Sequence, residues 1–102
     1  MAKVKISVLK TMFYPSLAEE FLNTGVAGPC PHFTEGQEFI ADWFELPEGF
    51  SCTWAWNDIY KQFMNVMYDL ESNAWKDSTS RVACCTDAVR PVVFKLERVD
   101  IE

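Results

Sequence analysis

The run from Trp56 to Leu70 constrains the fold most. Trp56, Ile59, Phe63, Val66 and Leu70 recur at spacings of three, four, three and four. On a helix of 3.6 residues per turn these positions share one side. Tyr60 and Met67 widen the stripe, while Asn57, Asp58, Lys61, Gln62, Asn65 and Asp69 occupy the rest of the circumference. The fold therefore needs an apolar surface for this helix to lie across. Ser51 or Thr53 is expected to cap its start with a hydroxyl, and Asp58 places negative charge toward that end, where the macrodipole favours it.

Strands at both ends of the chain supply the surface. From Lys3 to Lys10, Val4, Ile6 and Val8 alternate with Lys5, Ser7 and Leu9, the period of two expected of a half-buried strand. The stretch 82–98 reads as two strands around a polar turn at Asp87–Arg90, with Val92, Phe94 and Leu96 sharing one face. Gln37 to Trp43 adds a further strand, in which Phe39 and Ala41 oppose Ile40. Turns are signalled at Glu35-Gly36 and at Leu46-Pro47-Glu48-Gly49. A short helix is expected to begin at Pro15, with Leu17, Phe21 and Leu22 as its apolar face and Gly25 as a left-handed cap. The expectation is one α+β domain over residues 1–102. Its antiparallel sheet pairs the terminal strands centrally and could curl toward a barrel; one long helix lies across a face, and one short helix accompanies it.

Composition narrows the function classes. The net charge is −6 and the nine basic residues are scattered, whereas binding to a nucleic-acid backbone needs clustered Lys and Arg. No stretch approaches the roughly 20 apolar residues of a membrane-spanning helix, and no apolar segment follows the basic start as in a signal peptide. No nucleic acid, no membrane and a cytoplasmic location are the resulting expectations. In that compartment the four cysteines are expected as thiols.

Three groups of residues could carry chemistry. Cys30 lies in a stiff loop between Pro29 and Pro31, with His32 two positions on, and Cys52 stands at the start of the long helix, where a thiol is activated. Neighbours on a strand face opposite ways, so only one of Cys84 and Cys85 can join them. If residues 87–90 form the loop, Cys85 opposes Val92 and faces inward with Phe94; a loop one residue longer or shorter reverses this. Cys30, Cys52 and Cys85 are then candidate ligands of a metal ion. No Cys-x-x-Cys spacing supports this set, and buried thiols acting as small hydrophobes are the plainer reading. Asp87 and Arg90 form either a turn-stabilising pair or, with the guanidinium held extended before Pro91, a ligand-binding site. Most of the aromatic residues fall between Phe33 and Trp75. Trp54 and Trp56 cannot both serve the same core line, which leaves Trp54 to cover the Cys52 region, bind a ligand or meet a partner.

The blocks Gly28-Pro29-Cys30-Pro31 with Gly36-Gln37-Glu38-Phe39, Pro47-Glu48-Gly49-Phe50-Ser51-Cys52-Thr53-Trp54-Ala55-Trp56, and Cys84-Cys85-Thr86-Asp87 with Arg90-Pro91-Val92-Val93-Phe94 span nearly the whole chain. Together they resemble a family of small conserved hypothetical prokaryotic proteins without an established activity. The resemblance implies cysteines at the positions of Cys30, Cys52 and Cys85. A glycine usually follows the aspartate of the last block, where this chain has Ala88, which bears on whether that turn holds a residue of positive φ.

Three functions are consistent with these features. The first is a small binding or accessory domain with a thiol-lined site for a metal ion or small ligand. The second is a structural protein that forms homo-oligomers through aromatic surface, its thiols inert. The third is a thiol enzyme using Cys52 or Cys85 with His32.

Overall fold

The computed structural model describes residues 2–23, 28–70 and 72–100. In chain order it contains β1 (Ala2–Thr11), α1 (Pro15–Phe21), β2 (Glu38–Ala41), α2 (Thr53–Met67), β3 (Ser80–Cys84) and β4 (Val92–Asp100). The strands form an open, antiparallel sheet in the order β2-β1-β4-β3, with the two terminal strands at its centre. The sheet does not close into a barrel. Closure needs β2 and β3 to meet, and they stand at opposite edges.

Alternation decides which face is covered. Val4, Ile6 and Val8 from β1, Phe39 and Ala41 from β2, and Val92, Phe94 and Leu96 from β4 all point to one side, where Ala55, Trp56, Ile59, Phe63 and Val66 of α2 meet them. The opposite face carries a ladder of ion pairs, Lys3–Asp42, Lys5–Glu38, Lys5–Glu97 and Lys95–Glu97, and stays in water. Glu38 first, then Glu97, raises the Lys5 pKa above the usual lysine value. Sheet and helix thus make two layers, matching the shortest dimension of 20 Å. β1 carries a bulge at Leu9, between the pairs Val8–Phe94 and Lys10–Val93.

Phenylalanines from loops fill the end of the core near the α2 N-terminus. Phe33 packs edge-on against Phe94 with ring centroids 5.1 Å apart, and Phe50 lies 5.0 Å from both Phe33 and Phe39. Two turns hold these rings in place. Gly36 (φ 92°) lies in the turn closed by Gln37 N–H donating to Thr34 O, and Gly49 (φ 84°) in that closed by Phe50 N–H donating to Pro47 O. A side chain at either third position would be strained.

Several local expectations change. The cap of α2 is neither Ser51 nor Thr53 but Cys52, whose sulfur accepts the Ala55 N–H at 3.4 Å. Leu70 leaves the stripe because α2 stops at Met67, and it is exposed. There Asp69 adopts φ 57°, with its N–H donating to Val66 O and that of Leu70 to Asn65 O, the two bonds that close a helix with a left-handed residue. In α1 the buried residue is Ala18, while Leu17, Phe21 and Leu22 are exposed. The chain before α1 is tied to the β3–β4 loop through Met12 N–H to Pro91 O and Tyr14 N–H to Val89 O, and among the described residues α1 packs against no strand and not against α2. Gly25 lies outside the described residues.

Two arginines reach the C-terminal end of α2 from the sheet. Arg98 of β4 donates from Nη1 to Val66 O and Met67 O, at 3.1 and 2.7 Å. Arg81 of β3 donates from Nη2 to Leu70 O at 2.7 Å, and from Nη1 to Ser78 O and Ser80 O, both at 2.8 Å. Carbonyls at a helix end lack helical partners and carry the negative end of the macrodipole, so cations satisfy them on both counts.

Candidate functional site

The β3–β4 connection decides the inward thiol. Ala83 pairs with Phe94 and Cys84 with Val93, and the register continues as Cys85 N–H donates to Val92 O at 3.1 Å. Cys85 therefore lies on the Phe94 side and packs against the core, while Cys84 is exposed. Burial first, then Cys85 and the Asp58 carboxylate, push the Cys84 thiol up, which lowers its thiolate fraction at neutral pH.

Asp87 builds the turn. Its Oδ1 accepts the N–H groups of Val89 (3.0 Å) and Arg90 (2.9 Å), while Oδ2 meets Arg90 Nε at 3.2 Å and Nη2 at 3.1 Å. The turn works with Ala88 because no positive φ is needed there; among the described non-glycine residues only Asp69 has one. Burial pushes the Asp87 carboxyl up, but the Arg90 and Val89 amides and the Arg90 guanidinium outweigh it, and its pKa lies below the usual carboxylate value. A depressed pKa stabilises the folded state above the ordinary carboxylate range, and that contribution is lost as pH falls through the folded value. An NMR titration of the Asp87 carboxyl carbon is expected to show a midpoint below about 3.9, with the Arg90 Nε signal moving in the same step. A midpoint at or above that value would contradict the geometry.

Between this turn and the N-terminal end of α2 lies a cavity of about 250 Å³. Cys30, Cys52 and Cys85 all line it, together with Trp54, Asp87 and Arg90. The structure thus brings every candidate residue to one place. His32, Phe33, Ala55 and Val92 complete most of the wall, which is predominantly apolar. All four cysteines are thiols. Two of the lining sulfurs face backbone donors, Cys52 Sγ taking the Ala55 N–H and Cys85 Sγ the Val92 N–H at 3.3 Å. Among the described residues no group of three or more His, Cys, Asp or Glu side chains is placed to hold a metal ion. The three thiols share a cavity without forming a chelate. The His32 imidazole, expected as partner of a thiol, makes no hydrogen bond to one among the described residues; its backbone carbonyl accepts from Ser51 Oγ at 3.4 Å.

Trp56 enters the core and Trp54 lies at the cavity. A polar tether fixes Trp54 there. Its Nε1–H donates to Thr86 Oγ1 at 2.6 Å, and Thr86 donates to Asp58 Oδ2 from both N (2.7 Å) and Oγ1 (2.9 Å). Asp58 lies beyond the first turn of α2, so its partner is the loop rather than the macrodipole. The pairing of Thr86 with Asp58 escapes a reading by sequence because they are 28 residues apart and no periodicity links them. Elsewhere on the surface, exposed Trp43 and Tyr68 each pack against Phe44 with ring centroids 5.2 Å from it.

No helix among the described residues is long and apolar enough to cross a membrane. Comparison of the chain with models of protein families, with curated protein sequences and with solved structures gives no match in any of the three.

Proposed function

We infer that the chain is a small-ligand-binding domain and that its ligand occupies the cavity between α2 and the β3–β4 turn. The convergence of Cys30, Cys52, Cys85, Trp54 and Arg90 on this one space carries the reading. An apolar cavity of about 150 Å³ admits benzene, so one of this size takes roughly ten non-hydrogen atoms. The walls select a flat or aliphatic body, since Phe33, Trp54, Ala55 and Val92 offer apolar contact. Arg90 selects one end of it. A guanidinium has five N–H donors, and Asp87 engages only Nε and Nη2, which leaves donors for a carboxylate. The ligand class that fits is a small apolar carboxylic acid.

Benzoate is the probe that matches in size and charge. In a ¹H–¹⁵N correlation spectrum it is expected to shift the Trp54 indole and Arg90 Nε signals in a saturable manner. Benzyl alcohol should bind about tenfold more weakly, the scale of one charge-assisted hydrogen bond. Arg90→Met should remove that difference between the two probes. Saturable shifts confined to other parts of the chain would refute the reading.

A further inference from the structure

We propose that the cavity is a thiol–disulfide exchange centre in which Cys52 and Cys85 act as a pair on a low-molecular-weight disulfide, one that carries a carboxylate. The substrate class rests on the ligand-site reading above; the pairing of the thiols does not. Two sulfurs in the same cavity each accept a backbone N–H, Cys52 from Ala55 and Cys85 from Val92. An amide donor stabilises negative charge on sulfur, and the thiolate is the form that attacks a disulfide. Cys52 also caps a helix of 15 residues, at the wall of the cavity. The tether from Thr86 to Trp54 and Asp58 holds the Cys85 segment against the first turns of α2. Cys84 takes no part because it sits on the outer side of β3.

The chemistry balances with the small disulfide as oxidant. The Cys52 thiolate attacks one sulfur of RS–SR, the S–S bond breaks, and RS⁻ leaves as the mixed disulfide Cys52–S–SR forms. The Cys85 thiolate then attacks the Cys52 sulfur, a Cys52–Cys85 disulfide forms, and the second RS⁻ leaves. Two electrons pass from the protein thiols to the substrate, and the two protons lost by Cys52 and Cys85 end on the two released thiols. Arg90 holds the carboxylate and so positions the bond under attack.

The fully reduced chain is mixed with dithiodiglycolate or with bis(2-hydroxyethyl) disulfide, and intact mass and peptide mapping follow the product. The expected product is about 2 Da lighter, with Cys52 joined to Cys85. Dithiodiglycolate should react about tenfold faster despite the net charge of −6, and Arg90→Met should abolish that preference. Cys52→Ser keeps a helix-capping oxygen and should give no mixed disulfide, Cys85→Ser should stop at the mixed disulfide on Cys52, and Cys84→Ser should behave as the wild type. A disulfide that joins other cysteines, or mixed disulfides formed on Cys84 ahead of Cys52, would overturn the pairing. Benzoate binding without Cys52–Cys85 formation refutes the exchange and leaves the ligand site standing. Cys52–Cys85 formation without benzoate binding and without carboxylate preference refutes the substrate class and leaves the thiol pair.

Discussion

Replacing Phe94 with alanine is expected to cost about 3–5 kcal/mol of folding stability. Phe94 is fully buried in the central strand β4, opposite Val8 of β1 and Ala83 of β3. Its ring meets Phe33 at 5.1 Å and Phe50 at 5.6 Å. Truncation therefore opens a cavity where sheet, α2 and the loop phenylalanines meet, and backbone on both flanks is held by the sheet and cannot collapse into it. A domain of this size has roughly 5–15 kcal/mol in total, so the variant should unfold at far lower urea, with an unchanged dependence on denaturant. Ile40→Ala is the matched control. Ile40 lies on the other face of the sheet and is exposed, and its loss should stay within about 0.5 kcal/mol. Equal midpoints for the wild type and the Phe94 variant would disprove this placement of the core.

Arg81→Met is expected to cost about 3 kcal/mol, more than any loss of a surface charge. Arg81 is only 2 % exposed, yet among the described residues no carboxylate pairs with it. Its partners are the carbonyls of Leu70, Ser78 and Ser80, and Trp75 lies under its guanidinium at 5.8 Å. Methionine fills much of the same space but removes three part-buried hydrogen bonds from a charged donor, and their loss carries the penalty. Arg81→Lys keeps the charge but not the fork, and should recover about half of the loss. Thermal unfolding measures the total. Hydrogen exchange supplies the specific signature, with faster exchange at residues 68–70 and 78–80 while β1 keeps its protection. Uniformly faster exchange would mean that Arg81 serves general packing instead.

The two positions differ in how far the sequence discloses them. Phe94 is legible at once, because Val92, Phe94 and Leu96 alternate and the α2 stripe needs a sheet to cover it. The inward turn of Cys85 follows from the loop 87–90 and parity alone. The same parity turns Arg81 inward and leaves Val82 and Cys84 outside, against their hydropathy. Hydropathy is silent here because what Arg81 meets is a set of backbone carbonyls, those of Ser78 and Ser80 nearby in the chain and of Leu70 just beyond α2, which only tertiary structure brings together. The Cys52 cap shows a related limit. Ser51 and Thr53 offer better oxygen acceptors, but backbone conformation selects the residue between them. The candidates Cys30, Cys52, Cys85, Trp54, Asp87 and Arg90 are named from residue type and place in the chain. Their common cavity, and the Thr86–Asp58 tether beside it, depend on contacts between segments distant in the chain that periodicity does not encode.

The unequal anchoring of α2 has a consequence for how the molecule breathes. Its C-terminal carbonyls are clamped by Arg98 and, just beyond, by the buried Arg81. Its N-terminal turn is capped by one sulfur and tied by an exposed tether through Thr86, while Ala55 and Trp56 hold it in the core. Local opening follows the weaker anchors, so opening at the cavity begins at the exposed Trp54–Thr86 tether, ahead of the core residues behind it. Solvent and small solutes can then pass Trp54 at a free-energy cost well below that of global unfolding.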